Sequence, residues 1–365
     1  LGAIFKVAYL HHQLAKEVLE VQPPNELSAE ERVEYHEKVK TAIVLPLEEK
    51  AMRFASKCLT DSASLQIFSQ WTAQCYIIAN EINPNDYPSV RTFYLPAMEA
   101  AFAPEENTPV IESNDRFAYF PWTGSGTFSN NPITKSLYQT ELRDISESHN
   151  LIPVPYPYDE QTEPASLAQN AFPPILKALS EHPQSKGLYS LLGLAHLKNR
   201  NLAAARVIFL TLIGADKTSP SAYNNLGIVY YQQGKEAESI RYLREAVVLG
   251  SPEAAANLGY LALRYRNGAL ANGYFEKADQ LRKGNSRLQA SWLVARLQNR
   301  EIDTVRENLG TLSNSDNGGY ARLVAGYFLM DIDEDYSVAI QMMESYLGNR
   351  KPAADTHFFE RILRE

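Results

Sequence analysis

The sequence has no run approaching 18 apolar residues, so nothing in it reads as a membrane-spanning helix. It has no excess of positive charge either. Lysine and arginine number 35 against 43 aspartates and glutamates, a net charge of −8, which argues against phosphate-driven nucleic-acid binding as the main activity. Signatures of chemistry are missing too. No serine or cysteine nucleophile motif occurs, and the glycine-rich TGSGT at 123–127 lacks the Lys-Ser/Thr ending of a phosphate loop. Asp331, Asp333 and Asp335 alternate as in a calcium loop, yet Tyr336 stands where the sharp turn needs glycine and Met342 where the bidentate glutamate belongs. His11 and His12 diverge by about 100° on a helix instead of forming a chelating i, i+4 pair. His36, His149, His182, His196 and His357 stand apart from one another, with His196 expected as a core or half-buried residue. The sequence thus offers no catalytic residue, no metal site and no cofactor motif. At 365 residues, 45% hydrophobic and 21% charged, the composition is that of a folded chain of two or three domains.

What the sequence does contain is a period. SAYNNLGIVYYQQGKEAESIRYLREAVVLGSP forms two amphipathic helices around a turn at Gln233–Lys235, with small residues at Gly227, Ser239 and Ala246 and large ones at Tyr223, Leu226, Tyr230 and Leu243. Small positions let the two helices approach, and large ones fill the space between units. Tyr189, Leu192, Gly193, Ala205 and Phe209 occupy the same places upstream, and Leu258, Gly259, Ala271, Phe275 and Ala278 downstream. Gly193 and Gly227 are 34 residues apart, Gly227 and Gly259 32. Weaker copies follow through Leu293, Val305, Leu309 and Leu312, and through Gly326, Ala339 and Met343. This pattern resembles the tetratricopeptide repeat (TPR), whose single units cannot bury their apolar face alone. The resemblance implies an all-α protein: a helix-turn-helix superhelix of about five units over 173–350, with Pro352 opening a terminal capping helix over 351–365.

The chain opens on LGAIF, close to LGIVY at 226–230, so Leu1, Gly2 and Phe5 take the places of Leu226, Gly227 and Tyr230. The expectation is a chain trimmed from a longer array, any targeting signal lying upstream. Residues 1–100 are expected to form a helical, TPR-like region. Ser28 followed by Glu31 is a capping signature, and Pro46 should kink or break the helix that follows and sit near the first turn of a new one. A hairpin of 47–59 and 62–82 turning near Thr60-Asp61 puts Cys58 beside the turn and Cys75 roughly 20 Å away, beyond the ~7 Å Cα limit for a bridge. Two separate thiols are therefore expected, and cysteine usage leaves the compartment open. The pieces LGAIF, ELSAEERVEY, PLEEKAMRFASKCL and FSQWTAQCYIIANEINPNDYP resemble the long TPR proteins of the deltaproteobacterial cell envelope, some of them part of gliding-motility machinery. That resemblance implies a periplasmic or outer-membrane-associated scaffold, not an enzyme; a cytoplasmic location is the alternative.

Thirteen of the 20 prolines fall between Pro84 and Pro174. Residues 101–172 are expected to be an irregular Pro- and aromatic-rich connector, packed on neighbouring helices, with Phe120 and Trp122 as a partner-contact patch if it has one.

The binding candidates lie in the repeats. The first helix of each TPR unit lines the concave face, and the position two before the glycine holds Asn225 and Asn257 in consecutive units, with Asn224 beside the first. An asparagine carboxamide offers donors and an acceptor together, which suits an extended peptide main chain. Gln232 and Arg264 are expected to point to the same side, followed by Arg287. The cationic clamp for a C-terminal carboxylate is missing, since Ser190 and Leu194 or Ala195 take its places. The expected partner is a protein or peptide. Two alternatives stand beside peptide binding: asparagines that bond only between neighbouring helices, and a structural spacer whose groove is filled by its own Pro-rich segment at 152–163.

Overall fold

A computed structural model describes residues 1–88, 98–101, 172–283 and 286–315, with residues 325–326, 328–329, 335 and 337–341 beyond them. Among these every regular element is a helix. Phe120, Trp122, the 123–127 loop, the 152–163 segment and the expected terminal helix lie outside the described residues.

The N-terminal part consists of α1 (Gly2–Glu20), α2 (Ala29–Val39), α3 (Leu45–Ser64) and α4 (Gln70–Ile82). Ser28 caps α2 with the reciprocal bonds to Glu31 that its sequence predicts. Pro46 lies in the first turn of α3, where the sequence places it. A π-helical turn at Lys40–Val44 joins α2 to α3, with the Leu45 N–H reaching back to the Lys40 carbonyl. Widening the helix one turn before the proline accommodates a ring that has no N–H to donate. Helix α1 is fixed to α4 by Phe5 stacked on Trp71 at 5.1 Å and by His12 and Lys16, which both reach the Glu81 carboxylate. These two hydrogen bonds, that from Lys16 first, hold the Glu81 carboxyl below its ordinary range.

The two-thiol expectation is overturned. Cys58 and Cys75 form a disulfide with Cα atoms 6.4 Å apart. Helix α3 runs on through Thr60-Asp61 to Ser64, and the chain turns at Gln66 (φ 52°), where the Ile67 N–H bonds the Ser62 carbonyl. Each cysteine therefore lies roughly two helical turns from the reversal, on facing sides of one antiparallel hairpin.

The array follows: α5 (Phe172–Glu181), then four hairpins, α6 (Lys186–Lys198) with α7 (Leu202–Ala215), α8 (Pro220–Gln232) with α9 (Glu236–Val248), α10 (Pro252–Arg264) with α11 (Gly268–Leu281), and α12 (Ser286–Gln298) with α13 (Ile302–Ser315). Their turns repeat one construction. Arg200, Gly234, Arg266 and Arg300 all adopt positive φ, and the following residue's N–H returns to the carbonyl five before it, as from Asn201 to His196 and from Lys235 to Tyr230. Buried Gly326 and Ala339 sit on helical residues where a fifth unit is expected. His196 is buried against Phe172, and its burial pushes the imidazole pKa down to about 4.

The N-terminal part folds back on the third and fourth hairpins. Asn267 donates to Ser62, Phe68 packs between Tyr265 and Tyr274, and the guanidinium groups of Arg266 and Arg300 cover the rings of Tyr76 and Tyr87. One core cluster accordingly joins Ala55, Cys75 and Tyr76 to Ala271, Phe275 and Leu293.

Two predictions follow from this packing. A Cβ on Gly227 would lie 2.7 Å from the Leu243 Cγ, whereas one on Gly273 would meet nothing within 4 Å. Gly227→Ala should therefore cost about 1–3 kcal/mol despite alanine's better helix propensity, while Gly273→Ala should stabilise by about 1 kcal/mol, read as opposite shifts in thermal unfolding. Alkylation of denatured, non-reduced protein should leave both cysteines unmodified, and prior reduction should label both; labelling without reduction would refute the bridge.

Candidate functional site

Asn225 and Asn257 project from the first helices of consecutive hairpins, α8 and α10, and both are fully buried, as is Asn224. Each carboxamide grips one residue of the chain's own segment 98–101. The Glu99 N–H donates to Asn257 Oδ1 at 2.7 Å, and Asn257 Nδ2 donates to the Glu99 carbonyl at 3.0 Å. Two residues on, the Ala101 N–H donates to Asn225 Oδ1 at 2.8 Å, and Asn225 Nδ2 returns a bond of 2.8 Å to the Ala101 carbonyl. Asn224 adds a second donor to the Glu99 carbonyl at 2.9 Å.

The geometry follows from extended backbone. The N–H and C=O of one residue point the same way, and residues i and i+2 share a side, so one carboxamide can bracket residue 99 and the next residue 101. The bracketing also fixes each amide's orientation, because oxygen must face the N–H and nitrogen the carbonyl. The three asparagines bond one another as well, Asn257 to Asn224 at 2.9 Å and Asn224 to Asn225 at 3.2 Å. Interhelical pairing and main-chain binding, alternatives on the sequence, are here parts of one network.

Side chains of the segment are also engaged. Glu99 accepts a bond of 3.1 Å from the buried Tyr260 hydroxyl and pairs with Arg282 at 3.3 Å; Arg282 also pairs with Glu253. Ala101 is buried, Ala100 is exposed, and Met98 packs on the apolar clusters around Leu226 and around Leu258.

The remaining sequence candidates are not brought to this segment. Gln232 is half-buried at the end of α8, and no bond joins it to 98–101 among the described residues. Arg264 is exposed, donating to the Tyr231 hydroxyl at 2.7 Å and covering that ring. Both lie too far toward the hairpin turn, two helical turns from the asparagines of their own helices. Arg287 lies on α12, its side chain outside the described part. Tyr260 and Arg282 were missed by the repeat pattern; Tyr260 follows the repeat glycine directly, and Arg282 ends α11, where that pattern specifies nothing. Among the described residues no cluster of three or more metal-ligating side chains occurs, and no helix is long and apolar enough to cross a membrane.

Residues 190–254 match the tetratricopeptide repeat family. The match runs from within α6 to the start of α10, and the same turns recur in the next two hairpins, so the array is an all-α TPR solenoid. Similar solved structures are Pseudomonas aeruginosa pilF, at 18% identity and a TM-score of 0.43 over 62% of this chain and 96% of that one, and YrrB, a TPR protein with an unusual peptide-binding site, at 18% and 0.38 over 48% and 91%. The APC/C hetero-tetramer Cut9-Hcn1 is similar at 14% identity and a TM-score of 0.42, over 93% of this chain and 53% of that one. No curated protein sequence matches the chain.

Removing one bracket should free the residue it holds. In Asn257→Ala, the Glu99 amide should exchange with solvent about thirtyfold faster, as loss of two hydrogen bonds worth roughly 1 kcal/mol each requires, and the Ala101 amide by a smaller factor, while α6–α9 keep their protection. Unchanged exchange at both amides would remove the bracket from the account of how the segment is held.

Proposed function

We propose that this chain is a non-catalytic protein–protein interaction scaffold whose TPR groove binds the main chain of an extended peptide, with its own residues 98–101 as the resident occupant. The observation that supports this most is the pair of carboxamide brackets, which recognise a peptide group and no particular side chain. A partner peptide presenting the same main chain competes for the same two asparagines. A second reading has support in the occupant itself: because the segment belongs to this chain, the groove serves as an internal clasp and the molecule as a structural spacer.

The proposal extends to location. A periplasmic or outer-membrane-associated assembly, such as gliding-motility machinery, is the setting implied by the N-terminal resemblance. The Cys58–Cys75 bridge supports an oxidising compartment, where such bonds persist.

The two readings separate in one titration. In the full chain, Glu99 and Ala101 are replaced by proline, which has no N–H for the two asparagine oxygens to accept, and a labelled peptide of residues 96–103 (PAMEAAFA) is added. The scaffold reading expects weak binding to wild type and clear binding to the replaced chain. Adding Asn225→Ala and Asn257→Ala should then weaken binding by about thirtyfold or more, given four lost bonds at roughly 0.5–1.5 kcal/mol each. Loss of the array's helical melting transition in the replaced chain would favour the clasp. Binding indifferent to the asparagines would exclude this groove as the site.

A further inference from the structure

The asparagines read main chain, but the groove around them is not uniform, and its walls differ from one residue of the occupant to the next. Residue 99 meets charge and a phenol. Its side chain is 16% exposed, and it pairs with the Arg282 guanidinium and accepts from the Tyr260 hydroxyl, which lies one turn along α10 from Asn257. Residue 101 meets closure. Ala101 is 6% exposed with its own N–H and C=O taken by Asn225, so its methyl group is enclosed. Residue 100 faces outward and is exposed, and residue 98 inserts an unbranched apolar side chain between two core clusters.

From these four environments we infer that the groove selects sequence as well as backbone: its ligand is an extended peptide reading apolar, acidic, any residue, small. This deepens the peptide-binding reading above and rests on it. The acidic place is the most discriminating of the four. A carboxylate there accepts from Tyr260 and neutralises a cation already shared with Glu253. A lysine would set one ammonium against Arg282 and leave the buried Tyr260 hydroxyl without its acceptor. A glutamine would keep the acceptor and lose the ion pair. The small place works by exclusion, since a large side chain cannot enter without pulling the bracketed main chain away from Asn225. Segment 98–101 (Met-Glu-Ala-Ala) is then a built-in competitor that already carries the preferred pattern.

The test uses the full chain with Glu99 and Ala101 replaced by proline as above and a panel of labelled 96–103 peptides followed by fluorescence anisotropy. Glutamate to lysine at the acidic place should weaken binding about tenfold or more, the loss expected for a charge-assisted bond worth roughly 1.5–3 kcal/mol. Glutamate to glutamine should fall between. Tryptophan at the place of Ala101 should abolish binding, and tryptophan at the place of Ala100 should leave it unchanged. A second variant guards against a merely structural effect: Arg282→Glu should restore binding of the lysine peptide while weakening that of the parent.

If all peptides bind alike and binding still depends on Asn225 and Asn257, sequence selection is refuted and the main-chain reading stands. If no peptide binds a replaced chain that retains its helical melting transition, the main-chain reading falls and this inference with it.

Discussion

Two buried side-chain amides on neighbouring repeats have to meet a main chain, and much of the molecule's path is arranged so that they do. Asn225 and Asn257 are fully buried, and a buried carboxamide left without partners costs about 1–3 kcal/mol for each unsatisfied group. The chain supplies the partners itself. Its N-terminal part docks on the third and fourth hairpins, yet the array begins at α5, so the chain has to travel back from the far units toward the near ones. Residues 98–101, which lie between the two parts in sequence, are held in the groove. Glu99 is held at the third unit and Ala101 at the second, so the segment runs opposite in direction to the order of the repeats.

The docking of the N-terminal part draws on the hairpin turns in a related way. A residue with positive φ between the two helices favours glycine, and Gly234 conforms, but arginine occupies that place at 266 and 300. At both, the guanidinium covers a ring of the N-terminal part, Tyr76 at 5.9 Å and Tyr87 at 5.0 Å. Such contacts contribute about 0.5–2 kcal/mol, comparable to the cost of the left-handed backbone. Arg200 shares the conformation in a hairpin outside the docked face, so the turn itself tolerates arginine and docking makes use of it. Tyr76 completes the joint: it is buried, and its hydroxyl donates to the Pro88 carbonyl at 3.0 Å.

The repeats were legible because their signal is steric and periodic. Gly193, Gly227 and Gly259 face Phe209, Leu243 and Phe275, each 16 residues later, so one small and one large residue per unit announce the crossing. Asn225 and Asn257 were legible for the same reason, being set by the register. Gln232 and Arg264, two helical turns further on, form no hydrogen bond with 98–101 among the described residues. The cysteine pair depended on where one hairpin turns, and a reversal near Asp61 in place of Gln66 moves Cys75 out of reach of Cys58. Met-Glu-Ala-Ala carried a misleading signal. All four residues favour helix, and what draws them into an extended path is tertiary: two brackets that only an extended main chain can satisfy.

The ladder is short, and that sets what the groove can do. The equivalent positions in the first and fourth hairpins are Leu191 and Ser291, neither of which carries a carboxamide. Two rungs replace bonds to water with bonds to asparagine, a net gain of a few kcal/mol at most, which corresponds to millimolar affinity. A tethered segment with an effective concentration in that range fills such a site most of the time. An external peptide relying on main chain alone would therefore not displace residues 98–101. On the proposed reading, a peptide entering this groove would gain the difference from the side-chain walls, above all Arg282 and Tyr260, because the described hairpins offer only two rungs.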